Sequence, residues 1–102
     1  MSLSFAIDAL HAAGWSALDT SGCGFDDSGR AYPSIARVRN EFSRAGFDLD
    51  IRRVDQFNCY QATWREAGAA DAAGSVVSLT EIEAAVFALA HLRRAALPAS
   101  QS

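Results

Sequence analysis

The chain has 102 residues, half of them apolar, with a formal charge of −3 and a mean hydropathy of +0.03. That length fits one domain with a real core, since domains of this size bury roughly two-thirds of their unfolded surface. The composition excludes an intrinsically disordered chain, and no apolar run approaches the roughly 18 residues of a membrane span. Met1 to His11 carries Asp8 and no Arg or Lys, unlike a secretory signal, so the expected compartment is the cytoplasm. The domain reads as three segments: 1–29, helical and then glycine-rich; 30–66, a helix and a hairpin; 67–98, a loop and a C-terminal helix.

Ser4 to Ala13 is expected to be helical, with Phe5 and Leu10 inward and Gly14 as its stop. Ser16 to Asp19 fits the start of a second short helix, with Ser16 as cap. Gly22 to Gly29 reads as a loop by composition, with a turn at Asp26–Gly29. Pro33 suits a first helical position. Ile35, Val38, Phe42 and Ala45 then recur at spacings of three and four, one stripe of a helix that Gly46 ends. The opposite side holds Ala36, Arg37, Asn40, Ser43 and Arg44, and Glu41 can pair with Arg37 or Arg44.

Phe47 to Val54 and Phe57 to Arg65 alternate as strands. A connection at Asp55–Gln56 sets Val54 opposite Phe57, Ile51 opposite Tyr60, Leu49 opposite Ala62 and Phe47 opposite Trp64. Asp48, Asp50, Arg52, Gln61 and Thr63 fall on the other, solvated face. Val76–Val77 suggests a third strand. The last helix carries a capping signature, with Ser78 as cap, Glu81 completing a capping box and Val77 stapled to Ile82. Arg93 and Arg94 suit its C-terminal end, and Pro98 follows. Its main stripe is Leu79, Ile82, Val86 and Leu89. A second apolar face holds Ala84, Phe87, Ala88, His91 and Ala95. Two readings of that face stand: a core helix covered on both sides, or a homodimer interface. The expected class is therefore α+β, with helices and a two- or three-stranded antiparallel sheet.

No catalytic, metal or cofactor site is expected. His11, Cys23, Cys59 and His91 lack the close ligand spacing of a zinc site, and two free thiols are the default for the cysteines. Ser21-Gly22-Cys23-Gly24 has no base beside it, Asp26-Asp27-Ser28-Gly29 lacks the alternating ligands of a calcium loop, and no phosphate-binding glycine motif occurs. Charge is the stronger signal. Residues 1–29 hold four aspartates and no base, whereas residues 30–66 hold seven arginines and five acids, a balance of +2. All nine basic residues are arginines, which suit bidentate contacts to phosphate, carboxylate or guanine; a GC-rich genome is the other source of such a bias.

Ile35 to Phe42, followed by Arg44-Ala45-Gly46-Phe47-Asp48-Leu49, resembles the recognition-helix-to-wing segment of winged helix-turn-helix domains, most of all the small ones of phages and mobile elements. The resemblance covers about a third of the chain. It implies a winged-helix-like fold with an added C-terminal helix, duplex DNA as partner, base or phosphate contacts from Arg37, Asn40, Ser43 and Arg44, and wing contacts from Arg52 and Arg53. The order helix, three strands, helix also resembles a double-stranded-RNA-binding domain. That family holds phosphates with lysines at the start of its last helix, where this chain has Thr80-Glu81-Ile82-Glu83. The functional expectation is a non-enzymatic DNA-binding module. The alternative is a protein-interaction adaptor or inhibitor with an acidic surface, whose arginines pair with carboxylates.

Overall fold

The computed structural model describes residues 3–15, 23–27 and 29–96, with the side chains of 95 and 96 excepted. The short helix expected at Ser16–Asp19, the side chain of Ala95 and Pro98 lie outside the described residues. The element order is α1 (Leu3–Ala12), β1 (Cys23–Phe25), β2 (Ala31–Pro33), α2 (Ile35–Arg44), β3 (Phe47–Val54), β4 (Cys59–Glu66), β5 (Gly74–Ser78) and α3 (Glu81–Ala96). β1 and β2 form a two-stranded antiparallel sheet, and β3–β4–β5 form a three-stranded one. The α+β class read from the sequence is the observed one.

α1 ends as its sequence requires. Trp15 N–H donates to the Leu10 carbonyl at 3.2 Å and Gly14 N–H to that of His11 at 3.0 Å, with Gly14 at φ +93. That is a Schellman closure, in which glycine takes the left-handed position and Trp15 packs back toward Leu10. Ala6, Ile7 and Leu10 are the buried residues of α1. Phe5, expected inward, is 54% exposed and instead meets Phe87 at a ring separation of 5.8 Å.

The 22–29 stretch is not all loop. Cys23 to Phe25 pairs with Ala31 to Pro33, and Asp26 builds the turn between them. Its carboxylate accepts from Arg30 N–H at 2.8 Å and from Arg30 Nε at 3.0 Å. Arg30 also reaches back to Asp8 and to Ser4 Oγ on α1. The bond to Asp8, more than that to Asp26, holds its guanidinium above its ordinary pKa, against desolvation acting the other way. A three-residue strand is too short to show alternation, so the side-chain latch was the feature the sequence hid.

Pro33 closes β2 rather than opening α2. Ser34 is the cap, its Oγ accepting from Arg37 N–H at 3.2 Å. Val38 and Phe42 are wholly buried and Ile35 packs beside them, while Ala45, the last residue of the expected stripe, is exposed at the C-cap. α2 is entered from a strand and left through Gly46 into β3.

The β3–β4 hairpin has the expected faces and a different register. Val54 pairs with Cys59, Ile51 with Ala62, Leu49 with Trp64 and Phe47 with Glu66. The connection is a 3₁₀ turn, Asp55–Phe57, plus Asn58 in the left-handed region at φ 50. Four connecting residues in place of two move every pair by two positions, and a shift of two keeps each side chain on its own face. Phe47, Leu49, Ile51, Ala62 and Trp64 thus still turn to the core, and Asp48, Asp50 and Arg52 to solvent. β5 is the third strand, with Val76 buried and Val77 exposed.

The cap of α3 is Thr80, not Ser78: Thr80 Oγ1 accepts from Glu83 N–H at 3.2 Å, and Ala84 N–H reaches the Thr80 carbonyl at 3.1 Å. Ser78 is instead the buried last residue of β5, which leaves Leu79 outside the helix and 64% exposed. Residues 83–86 and 88–90 are buried, because α3 packs on α1, α2 and all three strands of the larger sheet. Ala84 and Ala88 have no exposed surface, so this part of the suggested dimer face is interior to the chain itself. Cys23 and Cys59 are both free.

Candidate functional site

α2 positions most of the residues that charge and resemblance single out. Asn40, Ser43 and Arg44 are exposed on it, as is Arg39, whose Nη1 donates to the Leu49 carbonyl at 2.9 Å. Arg37 is different. It is half-buried, with its guanidinium carbon 5.6 Å from the centre of the Trp15 ring, its Nε 3.6 Å from Glu41 Oε2 and its Nη1 donating to Cys23 Sγ at 3.1 Å. Stacking and pairing of this kind hold a guanidinium in place.

The hairpin arginines are also engaged. Arg52 Nε lies 2.5 Å from Asp50 Oδ2. Arg53 Nε lies 3.3 Å from Asp55 Oδ1, and its Nη2 donates to Asn58 Oδ1 at 3.1 Å. Arg52 and Arg53 are thus interleaved with aspartates near the hairpin tip.

Arg37, Asn40, Glu41 and Arg44 stand at i, i+3, i+4 and i+7, one face of the helix. That face forms one wall of a groove of about 440 Å³, completed by Trp15 after α1 and by Arg93 on α3. Glu41 is the hub. Its Oε2 accepts from Trp15 Nε1 at 2.9 Å, and its Oε1 lies 3.7 Å from Arg93 Nη1. Arg93 Nη2 reaches the Gly14 carbonyl at 3.5 Å, while its Nε is buried without a hydrogen-bond partner among the described residues. Arg44 has no ion-pair or hydrogen-bond partner among the described residues. Sequence reasoning missed Trp15 and Arg93 here. Arg93 looked sufficiently explained by the C-terminal end of α3, and Trp15 follows a helix stop where no periodicity marks it.

The suggested dimer face divides in the same way. Phe87 is half-buried against Phe5 and meets the exposed His91 ring edge-on at 4.7 Å, so α1 covers part of this face within one chain. His11, also exposed, lies 3.1 Å from the Ala31 carbonyl through Nε2 and edge-on to Trp15. Among the described residues there is no cluster of three or more metal-ligating side chains, and no helix is long and apolar enough to cross a membrane. No family model, no curated protein and no solved structure matches this chain.

Proposed function

We propose that the chain is a non-enzymatic protein-interaction module that meets its partner on the exposed face of α2. The observation that carries this reading is the internal pairing of its arginines. Arg52 and Arg53, the residues a wing would use, are matched to Asp50 and Asp55. DNA affinity comes largely from arginines and lysines that displace counterions from phosphates, and arginines neutralised by their own chain contribute little to that. The aspartates at the hairpin tip and the net charge of −3 oppose a polyanion further. Phe57, 74% exposed at the hairpin tip, is an apolar anchor of the kind protein interfaces cover.

Duplex DNA is the second reading, and the exposure of Asn40, Ser43 and Arg44 together on α2 favours it. One experiment separates the two. A photo-reactive amino acid at Ser43 in the native host is expected to yield a discrete protein adduct that the same group at Asp71 does not, while labelled duplex DNA runs unretarded at micromolar protein and low salt. Retarded DNA whose mobility is restored by Arg44→Ala and by added salt, with no protein adduct, overturns the proposal in favour of DNA.

A further inference from the structure

We infer that the groove between α2 and the C-terminal half of α3 is a carboxylate-binding site for an acidic peptide segment. This rests on the protein-interaction reading and names the chemistry of the partner. Among the described residues, three arginines from two helices, Arg37, Arg44 and Arg93, line one groove with a single carboxylate, Glu41. The balance of these described lining residues is +2, three arginines against one glutamate, in a chain of −3. Volumes of a few hundred Å³ are typical of sites for small ligands, and the groove's 440 Å³ suits one or two side chains better than a whole helix.

Among the described residues, Arg44 and Arg93 have fewer acceptors than donors. Glu41 is divided between Arg37 at 3.6 Å and Arg93 at 3.7 Å, both beyond the 2.7–2.9 Å of a charge-assisted hydrogen bond. Each guanidinium carries five N–H donors. Arg93 spends Nη1 and Nη2 on two long contacts, and its Nε is buried with no acceptor among the described residues, so this guanidinium is weakly held where it stands. Arg44 has no partner to displace among the described residues, and Asn40 beside it adds an amide. An incoming carboxylate therefore finds one unpaired guanidinium and a second that is only loosely held.

Charge favours a carboxylate over inorganic phosphate or a phosphomonoester. Glu41 stays in the groove, held by the Trp15 indole, and repels a dianion more than a monoanion. A nucleic acid spans more surface than the groove and meets the acidic balance of the whole chain, whereas a short acidic segment is confined to the groove.

The test is a titration of the isotopically labelled full chain with a blocked hexaglutamate peptide at low ionic strength, read at the indole and guanidinium N–H signals. The Trp15 indole and Arg93 Nε–H signals are expected to move together and saturate, while Trp64, buried in the sheet, stays still. Arg44→Ala is expected to weaken the peptide at least about tenfold, and Arg65→Ala, on an exposed arginine outside the groove, to leave it unchanged. Absence of a saturable shift at Trp15, or an Arg44→Ala variant that binds as well as the parent, overturns the site. So do inorganic phosphate or a short duplex DNA that move the same signals at lower concentration than the peptide. A protein adduct at Ser43 without any peptide response removes this site and leaves the interaction reading standing.

Discussion

A methyl group at Gly74 would meet the Trp64 ring at 2.3 Å, closer than any real contact, because the indole lies across the paired glycine. Gly74→Ala is therefore expected to lose about 1–3 kcal/mol of stability, the usual cost of forcing atoms into a packed site, measured as a lowered urea midpoint at unchanged slope. Phe42 is the opposite case. It is wholly buried and packs on Trp64 at a ring separation of 5.7 Å, so Phe42→Ala leaves a cavity worth about 3–5 kcal/mol. Residues of its kind were legible in the sequence, since Val38 and Phe42 fall on a helical stripe. Trp15 was not. Its place is fixed by Glu41 and Arg37, which stand on another element, and local spacing carries no trace of such a contact. The same holds for Arg93, brought to the groove by the packing of α3 on α2.

Among the elements, the ends were harder to place than the interiors. The alternation of β3 and β4 correctly named both faces, because any even shift preserves them; the register depended on a turn that only Asn58 hints at. Asn tolerates the left-handed conformation better than β-branched residues do. Asn58→Val is expected to cost about 1–2 kcal/mol, seen as a lower Tm, and Asn58→Gly to be tolerated. The sequence pointed to Ser78 as the cap of α3, two residues before the one the structure uses. Ser78 was consumed by β5, so Thr80 took the role, and Thr80→Ala is expected to lose about 1 kcal/mol in the same assay. The β1–β2 hairpin hangs on Arg30 and Asp26. Arg30→Ala is expected to speed amide exchange at Asp26 and Gly29, whose N–H groups close that turn, without changing exchange in β4.

For the molecule as a whole, the charge pattern matters more than the net charge. The sequence shows seven arginines gathered in residues 30–66, and a list of residues cannot show that their carboxylate partners sit within reach. The exposed pairs at the hairpin tip are worth little to stability, so Arg52→Ala and Arg53→Ala are each expected to shift it by less than about 1 kcal/mol. The groove charges, by contrast, are concentrated where two helices meet, and Arg44→Ala should be silent in folding assays and visible in binding ones. The fold class was open to the sequence because it depends on periodicity and caps. The groove depends on contacts between elements far apart in the chain.

The pairing of α1 with α3 sets a condition on synthesis. Phe5 meets Phe87, and Ala6, Ile7 and Leu10 lie in the core that α3 completes. A chain emerging from a ribosome exposes α1 first and acquires its cover last, so domain closure waits for nearly the whole sequence to leave the exit tunnel. Nascent chains stalled before Glu81 are expected to stay protease-sensitive and to recruit hydrophobic-binding chaperones. Chains released after α3 has cleared the tunnel should become resistant in one step.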